Sequence, residues 1–361
     1  MKKIKLFDII SNQEEIRALT KVMKNKFWAS GSGGGNVLKF EKNFKKYVNT
    51  KSCITVNSGT SALHLALSLF DIKNKEVILP SISFVSTAHA ILYNGGIPKF
   101  VDIDPNTLCI DPLEVKKSIT KKTKVILPVH LGGLPCDLKS LKSISKNHSL
   151  KIVEDAAHAS GSKYEGKRIG QHGDAVCFSF HPIKNLAMPS GGAITLNHHD
   201  WKNDETILKS RRWCGISNRK NMNYDVDELG WNYYMNEFEA SIGLVQLKKL
   251  EKNNSKRKTN SKILFKEINL ENKMPFKKGS SYHFYWIRVK NRKDFMKKMN
   301  ENGIETGIHY RPMNSFKMYK TSKNLPQTKI VSSEIVSLPT HPNLTTNDLD
   351  RIVKLTNKYS K

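Results

Sequence analysis

The sequence predicts an α/β fold: a mostly parallel mixed sheet in a large first domain, then a smaller C-terminal α+β domain. Three observations predict it. Between positions 53 and 155, short apolar runs alternate with stretches of helical period, the pattern of parallel strands joined by crossover helices. These runs lead into polar residues, Ser58, Ser81, His130 and Asp155, where open α/β sheets bind ligands at the carboxyl ends of their strands. A long helical stretch then starts near Asn236 and passes Leu250, and a second strand–helix set follows, which predicts domains at 1–250 and 251–361.

Each element has its own signal. Ser11-x-x-Glu14 is a capping box ahead of Ile16, Leu19 and Met23, so a helix starts there and runs to about Trp28. The glycine run GSGGG at 31–35 is followed by no Gly-Lys-Ser/Thr, so it is not a P-loop; a plain hinge is one reading. A second helix covers roughly Leu38 to Val48. Strands CITV (53–56), EVILP (76–80), PKFVDI (98–103), KVILPVH (124–130) and KIVED (151–155) follow. The helices between them start near Ser61, Thr87, Asp111 and Leu138. VCFSF and GAITL read as strands joined by a loop with a single lysine. In the second unit, YHFYWIRV and IETGIHY read as strands. KDFMKKMNENG reads as a helix closed by Gly303, and a last helix starts near Asn347.

Composition narrows the class. At 361 residues, with 38% hydrophobic and 25% charged residues, the chain has the make-up of a soluble globular protein. No apolar run approaches the roughly 18 residues of a membrane span, and MKKIKLFDII lacks the apolar core of a signal peptide. The expectation is a cytoplasmic protein. The five cysteines lie far apart with no zinc spacing, so no metal site is expected. A net charge of +28 can mean nucleic-acid binding. Here the lysines are spread over the whole chain, with no basic stripe interleaved with aromatics, so no specific nucleic-acid partner is expected. A positive field still favours an anionic substrate such as a nucleotide sugar.

The chemistry-bearing residues come as a set. Lys184 stands alone among apolar, small and hydroxyl residues in DAVCFSFHPIKNLAMPSGGAITLN. A lysine amine forms Schiff bases once it is desolvated, although many such lysines only snorkel to solvent. In VNSGTSALHLAL the turn Ser58-Gly59-Thr60-Ser61 stands between a strand and a helix. Glycine there admits close backbone approach, and the free amides of a helix N-terminus bind phosphate; a plain N-cap looks the same. Asp155 ends a strand in IVEDAAHASG. A carboxylate there can keep a pyridine nitrogen protonated, or simply cap the next helix. His158 can cover a ring face or be a core histidine, and Ser179 can add a hydroxyl to a phosphate. Phosphate grip, ring-nitrogen acid, ring cover and imine lysine are together the needs of pyridoxal 5′-phosphate (PLP).

These stretches resemble the DegT/StrS-type sugar aminotransferases, fold-type I PLP enzymes that act on nucleotide-linked keto-sugars. The resemblance covers nearly the whole chain. It is carried by SGTSALHLAL (58–67), PSISFVSTAHAILYNGGIPKFVDID (80–104), EDAAHASGSKYEGKRIG (154–170), FSFHPIKN (178–185), GWNYYMNEFEASIGLVQLKKL (230–250), GIETGIHYRP (303–312) and SLPTHPNLT (337–345). It implies that Lys184 is the imine lysine and proton carrier, that Asp155 pairs with the pyridine nitrogen, and that Phe84 and His158 flank the ring. It implies that Gly59, Thr60, Ser61 and Ser179 hold the phosphate, with Asn232 reaching the phosphate of the partner subunit across a homodimer. His181, His309 and Tyr310 are implied near the sugar.

The chain departs from the family pattern on the substrate side: Pro189-Ser190-Gly191-Gly192 replaces a Gly-acid-Gly-Gly run, Tyr234 replaces an arginine, and His158 stands for a glutamine. The activity implied is transfer of an amino group from L-glutamate to a nucleotide-linked 4-keto-6-deoxy sugar, for glycan synthesis. The alternatives are a PLP-dependent sugar dehydratase, against which retention of Lys184 argues, and a non-catalytic binding protein on the same fold.

Overall fold

Seven strands form the central sheet of the computed structural model, which describes residues 3–29, 31, 33–220, 222–319 and 323–360. Numbered in chain order, the first helices are α1 (Gln13–Asn25) and α2 (Gly35–Val48). The alternating region gives β1 (Ser52–Val56), α3 (Gly59–Leu67), β2 (Glu76–Pro80), α4 (Ser86–Tyr93), β3 (Ile97–Val101), α5 (Pro112–Ser118), β4 (Thr123–Ile126), α6 (Leu138–Asn147) and β5 (Lys151–Asp155). Then come the small hairpin β6 (Lys163–Tyr164) and β7 (Lys167–Arg168), β8 (Ala175–Ser179), β9 (Gly192–Leu196), α7 (Trp201–Arg212), a second hairpin β10 (Ile216–Lys220) and β11 (Asn223–Val226), and α8 (Glu237–Glu267). The last unit holds β12 (Tyr285–Arg288), α9 (Arg292–Glu301), α10 (Pro326–Glu334), β13 (Ile335–Leu338) and α11 (Thr346–Tyr359).

The sheet order is β1-β9-β8-β5-β4-β2-β3. β8, β5, β4, β2 and β3 pair in parallel, and β9 runs antiparallel to both β1 and β8. All five residues of β1, β8 and β9 are buried, as expected of strands covered on both faces. One apolar cluster packs Phe40, Phe44, Phe178 and Phe180 together, and a second gathers Leu63, Leu65, Leu79 and Ile91. A third, around Trp286, Phe284, Phe295 and Leu349, is the core of the last unit. The expected boundary at 250 falls within α8, whose 31 residues run through it without a break.

Three expectations need correction. The first capping box is one residue later: Asn12 Oδ1 accepts from Glu14 N (2.8 Å), and Glu15 Oε2 accepts from Asn12 N (2.9 Å). Glu15 is selected because it is buried against Lys249 and Gln246; the helix then stops at Lys26, in the left-handed region, ahead of Trp28. The glycine run serves an approach rather than a hinge. Gly35 (φ +58°) lets the Glu237 carboxylate cap α2 by accepting from Asn36 N (2.7 Å) and Val37 N (3.1 Å); Ser32 of that run lies outside the described residues. IETGIHY forms only two isolated bridges, Ile4–Ile304 and Gly307–Ser337. A Cβ on Gly307 would meet Leu6 at 2.6 Å, and β12 pairs instead with β13, whose four residues are all buried and show no alternation to read.

Candidate active site

The parallel strands deliver the chemistry at their carboxyl ends. β1 leads into α3, whose N-cap Ser58 Oγ accepts from Ser61 N (3.0 Å), which leaves Gly59 and Thr60 at the open first turn. Gly59 is required there, since a Cβ would sit 2.7 Å from Ser179 Cβ. The segment after β2 supplies Ser83, Phe84 and α4, β5 ends on Asp155, and β8 ends on Ser179. The loop to β9 carries His181 and Lys184, and the last unit contributes His309 and Tyr310.

These residues enclose one pocket of ≈ 340 Å³, with Ser58, Ser190 and Gly191 also on its wall. Gly59, Thr60, Phe84, Asp155, His158, Ser179, His181, Lys184, His309 and Tyr310 all line it. Two sequence-predicted residues do not. Ser61 donates its hydroxyl to Asn57 Oδ1 (2.6 Å) within the helix cap. Asn232 is exposed, and its carbonyl accepts from Asn57 Nδ2 (3.3 Å). Larger clefts lie elsewhere, one of ≈ 580 Å³ walled by Lys163, Lys258 and Lys278. Size does not decide the matter: only in the Lys184 pocket do a buried carboxylate, a desolvated amine and a helix N-terminus converge among the described residues.

The electrostatics follow from enclosure. Burial raises the Asp155 carboxyl above its usual range, opposed by Ala157 N–H on Oδ1 (3.1 Å), Thr87 hydroxyl on Oδ2 (2.8 Å) and the charge of Lys184. Lys184 keeps part of its side chain at the surface, but its ammonium end is enclosed. Loss of hydration brings it down from 10.5 to about 8, against the pull of Asp155. Burial also holds His158 well below 6.5 and His309 at about 4, so both are neutral near pH 7. Phe84 is 57% exposed at the mouth, its ring 6.1 Å from that of Tyr310.

Sequence reasoning missed the residues that hold this set in place. Thr87, braced by Ser83 Oγ at 2.8 Å, fixes the Asp155 carboxylate. Asn185 ties the lysine loop down: its Nδ2 donates to Asn254 Oδ1 and Ser281 O (both 2.9 Å), and its Oδ1 meets His283 Nδ1 at 3.2 Å. Asn185 stood beside the lysine in FSFHPIKN, so its position was the available signal; nothing in sequence paired it with 254, 281 or 283.

Comparison with known proteins agrees with this geometry. The DegT/DnrJ/EryC1/StrS aminotransferase family model matches residues 10–356. A dTDP-3-amino-3,6-dideoxy-alpha-D-galactopyranose transaminase of Aneurinibacillus thermoaerophilus is 36% identical over 361 residues, covering 96% of each chain. Helicobacter pylori PseC, an aminotransferase involved in the biosynthesis of pseudoaminic acid, superposes with a TM-score of 0.93 at 27% identity, over 99% of both chains. The PLP-form of Spr1654 from Streptococcus pneumoniae superposes with a TM-score of 0.93 at 26% identity, over 99% of this chain and 98% of that one. The residues here fit PLP. Gly59, with no Cβ, lets the first turn of α3 pack directly on Ser179 at the end of β8, so the turn's backbone amides and the Ser179 hydroxyl stand together where they can meet a phosphate. Asp155 stands enclosed with hydrogen bonds from Ala157 and Thr87, and Lys184 is desolvated beside it. By sequence, fold and site, the chain belongs to the DegT/DnrJ/EryC1/StrS aminotransferase family of PLP-dependent enzymes.

Proposed function

We propose that this enzyme moves an amino group from L-glutamate to the carbonyl carbon of a nucleotide-linked 6-deoxy keto-sugar, as a step towards an amino-sugar for glycan synthesis. The observation that carries this reading is the meeting of Lys184, Asp155 and the Gly59 turn in one pocket. Bound PLP supplies the electron sink; the chain supplies everything else. The amides at Gly59 and Thr60, with the Ser179 hydroxyl, would hold its phosphate, and the Asp155 carboxylate would keep its ring nitrogen protonated. Phe84 and His158, which line the same pocket, would flank the ring. Lys184 Nζ, which is neutral above about pH 8, takes a proton from one carbon and returns it to another, as a general base and then acid. His181, His309 and Tyr310 line the side open to the sugar.

A homodimer with shared sites completes the reading. Ile9, Ile16, Met23, Phe27 and Trp28 are exposed along the N-terminal segment and α1. Ile9, Ile16 and Leu19 share a groove of ≈ 560 Å³ with Pro182, Met188 and Pro189 of the lysine loop. An apolar patch of that kind supports an interface beside the active site. Asn232, exposed and away from its own pocket, then serves the neighbouring subunit. None of the described helices is long and apolar enough to cross a membrane, which is compatible with work in the cytoplasm.

Two experiments test the reading. Lys184→Ala should abolish turnover while the fold and non-covalent cofactor binding persist; turnover at the wild-type rate would sink it. Incubating the enzyme with glutamate and a panel of dTDP- and UDP-linked 4-keto- and 3-keto-6-deoxy sugars should yield one aminated product, identified by mass and NMR. The 4-keto arm follows the family resemblance, and the 3-keto arm follows the 3-amino sugar in the name of the A. thermoaerophilus relative.

A further inference from the structure

His158 is 5% exposed, and its two ring nitrogens have different partners. Nδ1 accepts from the backbone N–H of Gly132 at 3.3 Å, and Nε2 lies 3.0 Å from the Tyr310 hydroxyl. A backbone N–H can only donate, so Nδ1 carries no proton. A neutral imidazole has one N–H, which must then be on Nε2. That N–H donates to the Tyr310 oxygen. The hydroxyl proton of Tyr310 cannot also point back at Nε2, and among the described residues its oxygen has no other hydrogen-bond partner. It is left to point into the pocket, which Tyr310 lines together with Lys184 and His309.

The surroundings hold this arrangement. Gly132 adopts φ +63°, in a turn that a Cβ would crowd against Phe284 at 3.2 Å. The His158 ring is stacked on His283 (4.6 Å, 29°) and lies nearly parallel to the ring of Tyr310 (6.0 Å, 21°). Burial keeps it neutral, with the nearby charge of Lys184 acting in the same direction. With both nitrogens committed, His158 has no free lone pair with which to accept a proton from a substrate.

We propose that His158 is a positioning residue, and that the directed chain Gly132 N–H to His158 to Tyr310 makes the Tyr310 hydroxyl a fixed hydrogen-bond donor to an acceptor oxygen of the bound ligand. The inference rests on the pocket being the reaction site proposed above. The oxygen belongs either to the sugar, as a keto or hydroxyl group, or to the cofactor ring. In both cases the chemistry is a neutral O–H donor meeting a lone pair.

Glutamine offers the same polarity as this tautomer: its carbonyl can accept from Gly132 and its amide can donate to Tyr310. Phenylalanine offers neither. On holoenzyme with ¹⁵N-labelled histidine, spectra at pH 7 to 8 should show the His158 signal, identified by its loss in His158→Gln, as a neutral ring with the proton on Nε2. A proton on Nδ1, or an imidazolium, overturns the proposal, and this readout needs no activity. Tyr310→Phe should weaken the ligand contact roughly tenfold, the size of one good neutral hydrogen bond. If the acceptor is the sugar, the KM for the sugar nucleotide rises and the Kd for PLP is unchanged; if it is the cofactor, the Kd for PLP rises instead. His158→Phe should match Tyr310→Phe, His158→Gln should recover most of the loss, and the double variant should be no worse than the weaker single one. Additive losses overturn the chain. A wild-type enzyme that aminates no sugar would overturn the proposed function and leave the tautomer result standing.

Discussion

Burial works against the charge of Asp155, and two hydrogen bonds, from Ala157 and Thr87, hold its carboxylate in place. Asp155→Asn keeps the shape but cannot hold a pyridine nitrogen protonated. Steady-state rates should fall by roughly 100-fold or more, the range seen when one charge-stabilising group is removed from an active site. Thr87→Val removes a single donor to that carboxylate and should cost roughly tenfold; equal losses in the two variants would mean that Asp155 acts only through its packing. For Lys184 the sign of the pH effect follows from its value of about 8 against an ordinary 10.5. The neutral amine is present above about pH 8 and is lost below it. Covalent capture of PLP by the apoprotein, trapped with borohydride, should therefore rise with a midpoint near pH 8; a midpoint above about 10 would show a solvated lysine. Lys184 was legible in the sequence because it stands alone among apolar, small and hydroxyl residues, and Asp155 because it ends a strand. Thr87, Asn185 and His283 were not, because their partners at 155, 254 and 158 meet them only after the sheet and the last unit have packed.

At the scale of elements, the strands and helices between 53 and 155 were legible because alternation of period survives in the sequence. The failures have local causes. A capping box needs a hydroxyl or amide and an acid three residues apart, and both Ser11/Glu14 and Asn12/Glu15 meet that rule. Tertiary contact with Lys249 and Gln246 chooses the second. β13 is short and wholly buried, and IETGIHY has the right composition without a neighbouring edge to pair with along its length. The α3 turn was legible and is also the most sensitive to change. In Gly59→Ala the added methyl would lie 2.7 Å from Ser179 Cβ, so the turn and β8 must separate just where the amides face the pocket. Affinity for PLP should fall by at least roughly tenfold, as expected from losing one or more charge-assisted hydrogen bonds. Thermal unfolding of the apoprotein should change much less. Unchanged cofactor affinity by fluorescence titration would remove this turn from the phosphate site.

Asn232 stands on the segment between α7 and α8, exposed, while Lys184 lines the pocket of its own chain. The segment is firmly placed: Trp231 N donates to Arg211 O (2.6 Å), Tyr233 N donates to Arg212 O (2.9 Å), and Tyr233 lies 3.0 Å from His64 Nδ1. In the proposed dimer, the exposed Asn232 amide would serve the partner's site, and the exposed apolar residues Ile16 and Met23 of α1 would lie in the interface. The test is complementation. A Lys184→Ala chain and an Asn232→Trp chain should each be poor alone. In a mixed dimer of a symmetric enzyme, one site would carry both defects and the other neither. Random pairing of equal amounts gives about half mixed dimers, so about a quarter of all sites would be intact. Co-expression with two different tags should therefore restore about a quarter of wild-type activity if the sites act independently. Mixed dimers confirmed by mass but inactive would put Asn232 and Lys184 of one chain in the same site, and the two pockets would then be separate rather than shared.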